Sequence, residues 1–162
     1  MTAQPRGTTA LSVRAALPAD AATLARFNVA LAEETEALAL SPETVLAGVE
    51  AVLEDPAKGL YWVAEIEGTV VGQLMLTYEW SDWRNGFFWW IQSVYVEHSS
   101  RRRGVFKALF EKASQQAADE PMVCGLRLYV AQDNDRAQQT YSDLGMQRVE
   151  YQVFELSLEK KI

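Results

Sequence analysis

Arg101, Arg102, Arg103 and Gly104 come in succession just before a run whose apolar residues, Val105, Ala108, Leu109 and Ala113, step at helical spacing. Upstream lies the stretch from Phe87 to Val96, apolar, β-branched and aromatic with Gln92 and Ser93 set into it, the composition of a strand buried on both faces. A polar turn, Glu97 to Ser100, joins the two. Strand, basic glycine-containing turn and helix together aim backbone N–H groups at one spot before a helix N-terminus, where the positive end of the macrodipole favours an anion. Gly104 lets the chain come close to a phosphate, and the three guanidinium groups with Lys107 add charge. The ligand chemistry this implies is a diphosphate. A basic turn with one glycine also serves solubility and turn geometry, so the order of the whole stretch carries the reading more than the arginines do.

Composition bounds what surrounds that turn. The 162 residues suit one domain with a substantial core, expected over residues 11–162 after a loose polar leader at 1–10. Twenty-two acidic against 15 basic residues give a net charge of -7, which disfavours nucleic acid as a partner and attracts a cationic substrate. Cys124 is the sole cysteine, so no intramolecular disulfide forms and a cytoplasmic setting is expected. No apolar run approaches the roughly 20 residues needed to span a bilayer, so no membrane partner is expected, nor is a metal.

The elements that must position the turn follow in order. A strand near Leu11–Arg14 leads to a helix started at Pro18 or Asp20 and running to about Ala32 on a stripe of Leu24, Phe27 and Leu31. The acidic Glu33, Glu34 and Glu36 come after it. Ser41-Pro42 reads as an N-cap with proline at N1, opening a second helix that Asp55-Pro56 ends. Strands are expected over Leu60–Ile66 and Val70–Tyr78, with Gly72 at a bulge, and Asn85-Gly86 turns the chain into the Phe87 strand. After the Val105 helix come a strand over Leu126–Val130 and a helix capped by Asp133 or Asn134 and closed by Gly145. An antiparallel pair, Met146–Val149 and Tyr151–Leu158, is expected to finish the chain. The fold class is mixed α/β: a mostly antiparallel sheet of about seven strands flanked by about four helices.

Two segments in this order resemble a known family. Val94-Tyr95-Val96 followed by Arg101-Arg102-Arg103-Gly104-Val105-Phe106 resembles the R/Q-x-x-G-x-G/A motif of the GNAT acyl-CoA-dependent N-acetyltransferases, with Phe106 where the family has Gly or Ala. Asn134-Asp135-Arg136-Ala137, then Tyr141 and Leu144-Gly145-Met146, resembles the family's later motif. The resemblance spans Leu11 to Leu158. It implies acetyl-CoA as cosubstrate, held by the strand end and basic turn, with the Asn134 segment against the pantetheine and the Tyr141 hydroxyl donating to the departing thiolate. It also implies a homodimer. The hairpin from Tyr78 to Val96 resembles the diamine and polyamine acetyltransferase branch, in which a strand Glu deprotonates the amine; here Gln92 stands at that position.

Acetyl transfer to an amine needs a neutral nucleophile, stabilisation of a developing oxyanion and a proton for the thiolate. The backbone N–H groups of Val94 and Val96 suit the second task. Tyr141, a phenol of pKa about 10, suits the third, although a tyrosine anchoring a helix by ring burial has the same sequence signature. Gln92 is no base. Either water relayed through Glu79, Asp82 or Glu97 acts, with Glu79 first because it ends the paired strand, or the amine arrives with a lowered pKa. Glu79 reads equally as a solvated strand-end carboxylate. His98 reads as a surface turn residue. Four of the five tryptophans, Trp80, Trp83, Trp89 and Trp90, crowd together, and Trp80 and Trp83 are expected nearest the substrate, with Glu33, Glu34 and Glu36 supplying charge. The expected activity is direct acetylation of a small cationic or amino-acid-like amine. The alternatives are a transferase for a protein or peptide amine and a non-catalytic acyl-CoA sensor.

Overall fold

In the computed structural model, residues 10–158 are described, and the chain divides into two units at Tyr129 and Val130. The proposed leader, residues 1–10, lies almost wholly outside the described residues.

The first unit is built on a five-stranded sheet in sequence order: β1 (Leu11–Ala15), β2 (Leu60–Ile66), β3 (Thr69–Ser81), β4 (Gly86–Val96) and β5 (Val123–Leu128). Neighbours pair antiparallel except β4 and β5, which are parallel and joined through helix α3 (Val105–Asp119). Helices α1 (Ala21–Glu36) and α2 (Pro42–Glu54) cover one face. Leu24, Ala25 and Val49 bury there against Tyr61 and Val63 of β2, while α3 takes the other face. Strand β2 is therefore apolar on both sides, as a central strand must be. Gly72 lets α3 come close: a Cβ there would lie 2.9 Å from Val105 Cγ1 and 3.1 Å from the Tyr95 carbonyl oxygen.

Helix starts follow the sequence signals. Ser41 Oγ accepts the Thr44 amide at 3.3 Å, with Pro42 at the first turn. Helix α1 runs four residues past the expected Ala32, because alanine and glutamate are strong helix formers and the acidic run continues the helix instead of following it. It ends at Ala37, held left-handed at φ 51°.

Two bulges shape the sheet. One opposes Ala64 and Glu65 with an extra residue, Val71, beside the glycine expected to mark it. The other falls in β4: Gln73 faces Tyr95 and Met75 faces Gln92, so Leu74 alone spans Ser93 and Val94. Ser93 sits at φ 49°. Beyond it the strand has changed faces by one residue, so Tyr95 turns toward α1 and packs at a tilt against Phe27, ring centroids 5.0 Å apart.

The second unit holds α4 (Asp135–Asp143), with the Asn134 side chain accepting the Ala137 amide at 3.0 Å. Gly145, at φ 89°, closes it: Met146 N–H donates to the Tyr141 carbonyl and Gly145 N–H to that of Ser142, each at 3.0 Å.

Two expectations are corrected. β5 begins at Val123, three residues earlier than expected, and ends at Leu128. The pair Met146–Val149 and Tyr151–Leu158 is not formed; residues 146–158 carry no strand, and Val149, Tyr151, Val153, Leu156 and Leu158 are exposed. Only Glu150 separates the two expected strands, whereas a tight hairpin needs a two-residue loop, and residues 147–158 contain no Gly, Asn, Asp or Pro to make one. The described sheet thus has five strands in place of seven.

Candidate functional site

The basic turn and the end of β4 lie together. Glu97 N–H donates to the Val71 carbonyl of β3 at 2.8 Å; by strand alternation, the amides of Val94 and Val96 point to the other side of β4. On that side β5 pairs with β4 only as far as Ile91 and Leu128, so the two strands part before Val94 is reached. Next come Arg102 at φ 63° and Gly104 at φ 80°, the latter preceding α3 with no side-chain cap. A Cβ on Gly104 would meet nothing within 4 Å, so its glycine serves the left-handed backbone and leaves space before the helix. First-turn N–H groups of a helix lack intrahelical acceptors, and here they open onto that space. Phe106 packs along the helix against Phe110, centroids 6.0 Å apart.

The arginines divide by role. Arg101 Nε donates to the Val96 carbonyl at 2.9 Å and Nη2 pairs with Glu34 at 2.5 Å; the Glu34 carboxylate also accepts the Tyr95 hydroxyl at 3.1 Å. This latches the turn to α1. It holds the Glu34 carboxyl below its usual range, chiefly through the Arg101 bond, while burial first and Glu34 second push the Tyr95 phenol up. Arg102 and Arg103 are exposed and make no side-chain bond among the described residues. Lys107 stands 3.7 Å from Glu111 along α3.

Across the sheet from α3, a cavity of about 350 Å³ opens between α1, α2 and strands β2 to β4. Asn28, Tyr61 and Ser93 form its polar end, Leu31, Val45, Val49 and Met75 its walls, and Thr35 with Glu36 its far end. Asn28 Nδ2 donates to the Tyr61 hydroxyl at 3.1 Å, and burial raises the Tyr61 phenol despite that bond. Eight helical residues separate Asn28 from Glu36, an axial rise of roughly 12 Å.

The expected substrate residues are distributed otherwise. Glu36, not Glu33 or Glu34, faces the cavity: Glu33 lines a separate surface hollow with Val29 and Leu38, and Glu34 belongs to Arg101. Trp80 and Trp83 stand at the hairpin, where Trp80 packs edge-on against Phe87 at 4.9 Å and Trp83 is 87% exposed. Trp80, paired with Phe87, is five strand residues from Gln92, roughly 17 Å from the cavity, and Trp83 lies further out in the turn. Glu79 has both carboxylate oxygens engaged, one by Trp90 Nε1 at 2.5 Å and one by Arg127 at 2.9 Å, which makes it a cross-strand brace. Gln92 donates to Thr77 Oγ1 at 2.6 Å. Asn134 spends its side-chain oxygen on the α4 cap, Arg136 is exposed and Ala137 half-buried beside it. Tyr141, on α4, is half-buried, and burial pushes its phenol up. Asn28, Tyr61 and Gln73 were not expected at a site, although Asn28 and Gln73 each interrupt an apolar run.

Residues 27–146 match the Acetyltransferase (GNAT) family. The chain belongs to this family. It is accordingly an acyl-CoA-dependent N-acetyltransferase, and the family uses acetyl-CoA as cosubstrate. A crystal structure of a possible acetyltransferase from Clostridium difficile 630 is 42% identical, covering 93% of this chain and 99% of that one with a TM-score of 0.87. An integron cassette protein from the mobile metagenome of Cole Harbour Salt Marsh, at 22% identity, covers 91% of each chain with a TM-score of 0.79. A ribosomal-protein-alanine N-acetyltransferase from Brucella melitensis biovar Abortus 2308 shares the fold at 17% identity and a TM-score of 0.74, over 93% of this chain and 100% of that one. No curated protein sequence matches. The uncapped α3 start, the open space at Gly104 and the outward amides of Val94 and Val96 fit the diphosphate and amide groups of such a cosubstrate. Among the described residues no cluster of His, Cys, Asp or Glu is placed to hold a metal, and no helix is long and apolar enough to cross a membrane.

Proposed function

We propose that this GNAT protein acetylates the primary amine of a small cationic or amino-acid-like substrate seated in the α1–α2 cavity, with diamines and polyamines as the leading class. The observation that carries this is the cavity itself. It ends at Ser93, on the bulge next to Val94–Val96, so a ligand within it reaches the strand end that suits the acyl group. Its volume suits a small molecule, its walls suit an aliphatic chain, and Glu36 at the far end suits a second cation. A protein or peptide amine would call for an open groove.

Acetyl-CoA supplies the activated acyl group; the chain's residues bind, orient and hold protons. Arg102, Arg103 and the α3 amides bind phosphate, and Val94 and Val96 amides hold the acyl arm. The Tyr141 phenol, ordinarily of pKa about 10 and pushed up further by burial, is protonated at neutral pH, the state a proton donor needs. Asn28, Tyr61 and Ser93 line the amine end, and none is a base at neutral pH. The reacting amine is therefore the fraction that arrives unprotonated. The reading includes a homodimer, which light scattering on the purified protein tests, and a cytoplasmic setting, which cell fractionation tests.

The deciding assay is thiol release from acetyl-CoA across polyamines, diamines, amino acids, aminoglycosides and short peptides. Turnover with a diamine or polyamine, rising with pH toward the amine's own pKa, is the expected result. Turnover with peptides alone overturns the cavity reading.

A further inference from the structure

Gln73 is a polar side chain at 0% exposure, between Gly72 and Leu74 in the middle of the sheet. A buried amide is costly unless its groups are bonded. Its Nε2 makes two bonds, to the Ser93 carbonyl at 3.1 Å and to Asn28 Oδ1 at 2.6 Å. Its Oε1 is buried and has no partner among the described residues. An apolar residue of the same length would avoid that orphan, so the donor at Nε2 is what the position uses.

What it uses it on is the β4 bulge. Ser93 is the left-handed residue there, one of two residues opposite Leu74, and a bulge takes such a residue out of the ladder. Gln73 gives its carbonyl the donor that the ladder does not. The bulge changes the strand's face, and that change sends Tyr95 to α1 and the Val94 and Val96 amides to the side where β5 has ended. Without it, each residue beyond Gln92 would face the opposite way.

We infer that Gln73 is a positioning residue for acyl-CoA: by holding Ser93 through Nε2 it fixes the direction of the Val94–Val96 amides. The inference rests on the reading that these amides hold the acyl arm. Asn28, bonded to the same Nε2, ties the device to the acceptor cavity.

The test is CoA affinity by calorimetry, with acetyl-CoA and acceptor KM values and melting temperature, for wild type, Gln73→Met and Asn28→Ala. Gln73→Met keeps length and loses the donor to both Ser93 and Asn28; CoA Kd and acetyl-CoA KM rise about tenfold, the order of one hydrogen bond, and acceptor KM rises with them. Asn28→Ala leaves the Gln73–Ser93 bond in place, so CoA Kd stays within about twofold while acceptor KM rises. Gln73→Leu repeats the test should the methionine variant fail to fold. A Gln73→Met protein that melts differently but binds CoA as wild type does overturns the inference alone. Wild-type protein that binds no CoA overturns the acyl-arm reading and this inference with it.

Discussion

The two ends of the β3–β4 pair are made of different material. At the hairpin end aromatic rings and charges lie on the surface: Trp83 is 87% exposed, Arg127 sits 3.6 Å from the Phe88 ring centroid, and Trp90 stacks on Tyr129 at 4.4 Å. At the bulge end the rings of Phe27, Tyr61 and Tyr95 are buried, and three polar side chains, Asn28, Tyr61 and Gln73, are bonded to one another or to the bulge carbonyl. The aromatic end attracts attention by composition. The bulge end holds the cavity, the left-handed serine and the parting strands. Sticky side chains are a weaker sign of a site than backbone held away from its ladder, because a ligand that binds main-chain amides needs them unpaired.

The largest effect should follow from filling the close approach that supports the bulge end. Gly72→Val puts side-chain atoms where Val105 Cγ1 would already lie 2.9 Å from a Cβ, and it pushes the α3 start away from the strand end. Overpacking of this kind costs about 1–3 kcal/mol. For a chain of this size that lowers Tm by roughly 2–4 °C per kcal/mol. CoA affinity should fall as well, since the turn and the strand amides no longer face one spot. A variant with unchanged Tm and unchanged CoA affinity would show that α3 and β4 are not positioned through Gly72.

The same contrast explains what was legible in the sequence. Local signals were readable where one residue type does one job: Ser41-Pro42 opens α2, Gly104 precedes α3 and Gly145 closes α4. The order of elements around the basic turn was readable too. The site's acceptor half was not, because it depends on which face of α1 meets which end of the sheet. Glu33, Glu34 and Glu36 fall within four residues, yet helical geometry sends them to a surface hollow, to Arg101 and to the cavity. The β4 bulge was hidden because Ser93 carries the left-handed conformation that glycine usually marks. A residual signal existed: Asn28 and Gln73 interrupt apolar runs where a hydrophobic residue would pack more easily. The final pair, Met146–Val149 and Tyr151–Leu158, does not form because β-forming composition records a preference and not a pairing partner.

A smaller effect tests the latch between turn and α1. Glu34 and Arg101 are about half exposed as side chains, at 43% and 38%, so the pair is worth only about 0–1 kcal/mol. Its sign with pH is definite. The Glu34 carboxyl lies below its ordinary value, chiefly because Arg101 bonds it, so its stabilisation is present above the unfolded-state pKa near 4 and is lost as pH falls through the folded value. In urea titrations from pH 7 down to pH 3, Glu34→Gln should start slightly less stable than wild type and converge with it in acid. A gap that widens as pH falls would mean that the carboxylate is not stabilised by Arg101.

The smallest effect belongs to the hairpin end, and it decides whether the contrast is real. Trp83→Ser removes a ring that is 87% exposed, and Glu79→Gln weakens a brace whose charges are 42% and 33% exposed. Stability should change by no more than about 0.5–1 kcal/mol in either case. Acceptor KM and kcat should stay at wild-type values, since both residues lie several strand steps from Ser93. A steep loss of kcat in Glu79→Gln would restore this carboxylate as the base and bring the amine to the aromatic end. A raised acceptor KM in Trp83→Ser, with kcat intact, would instead place the ring against substrate. Since Trp83 lies in the turn beyond the Ser81–Gly86 pair, seven strand residues from Ser93, it cannot span that gap in its own chain, and the cavity reached would then be that of a second copy.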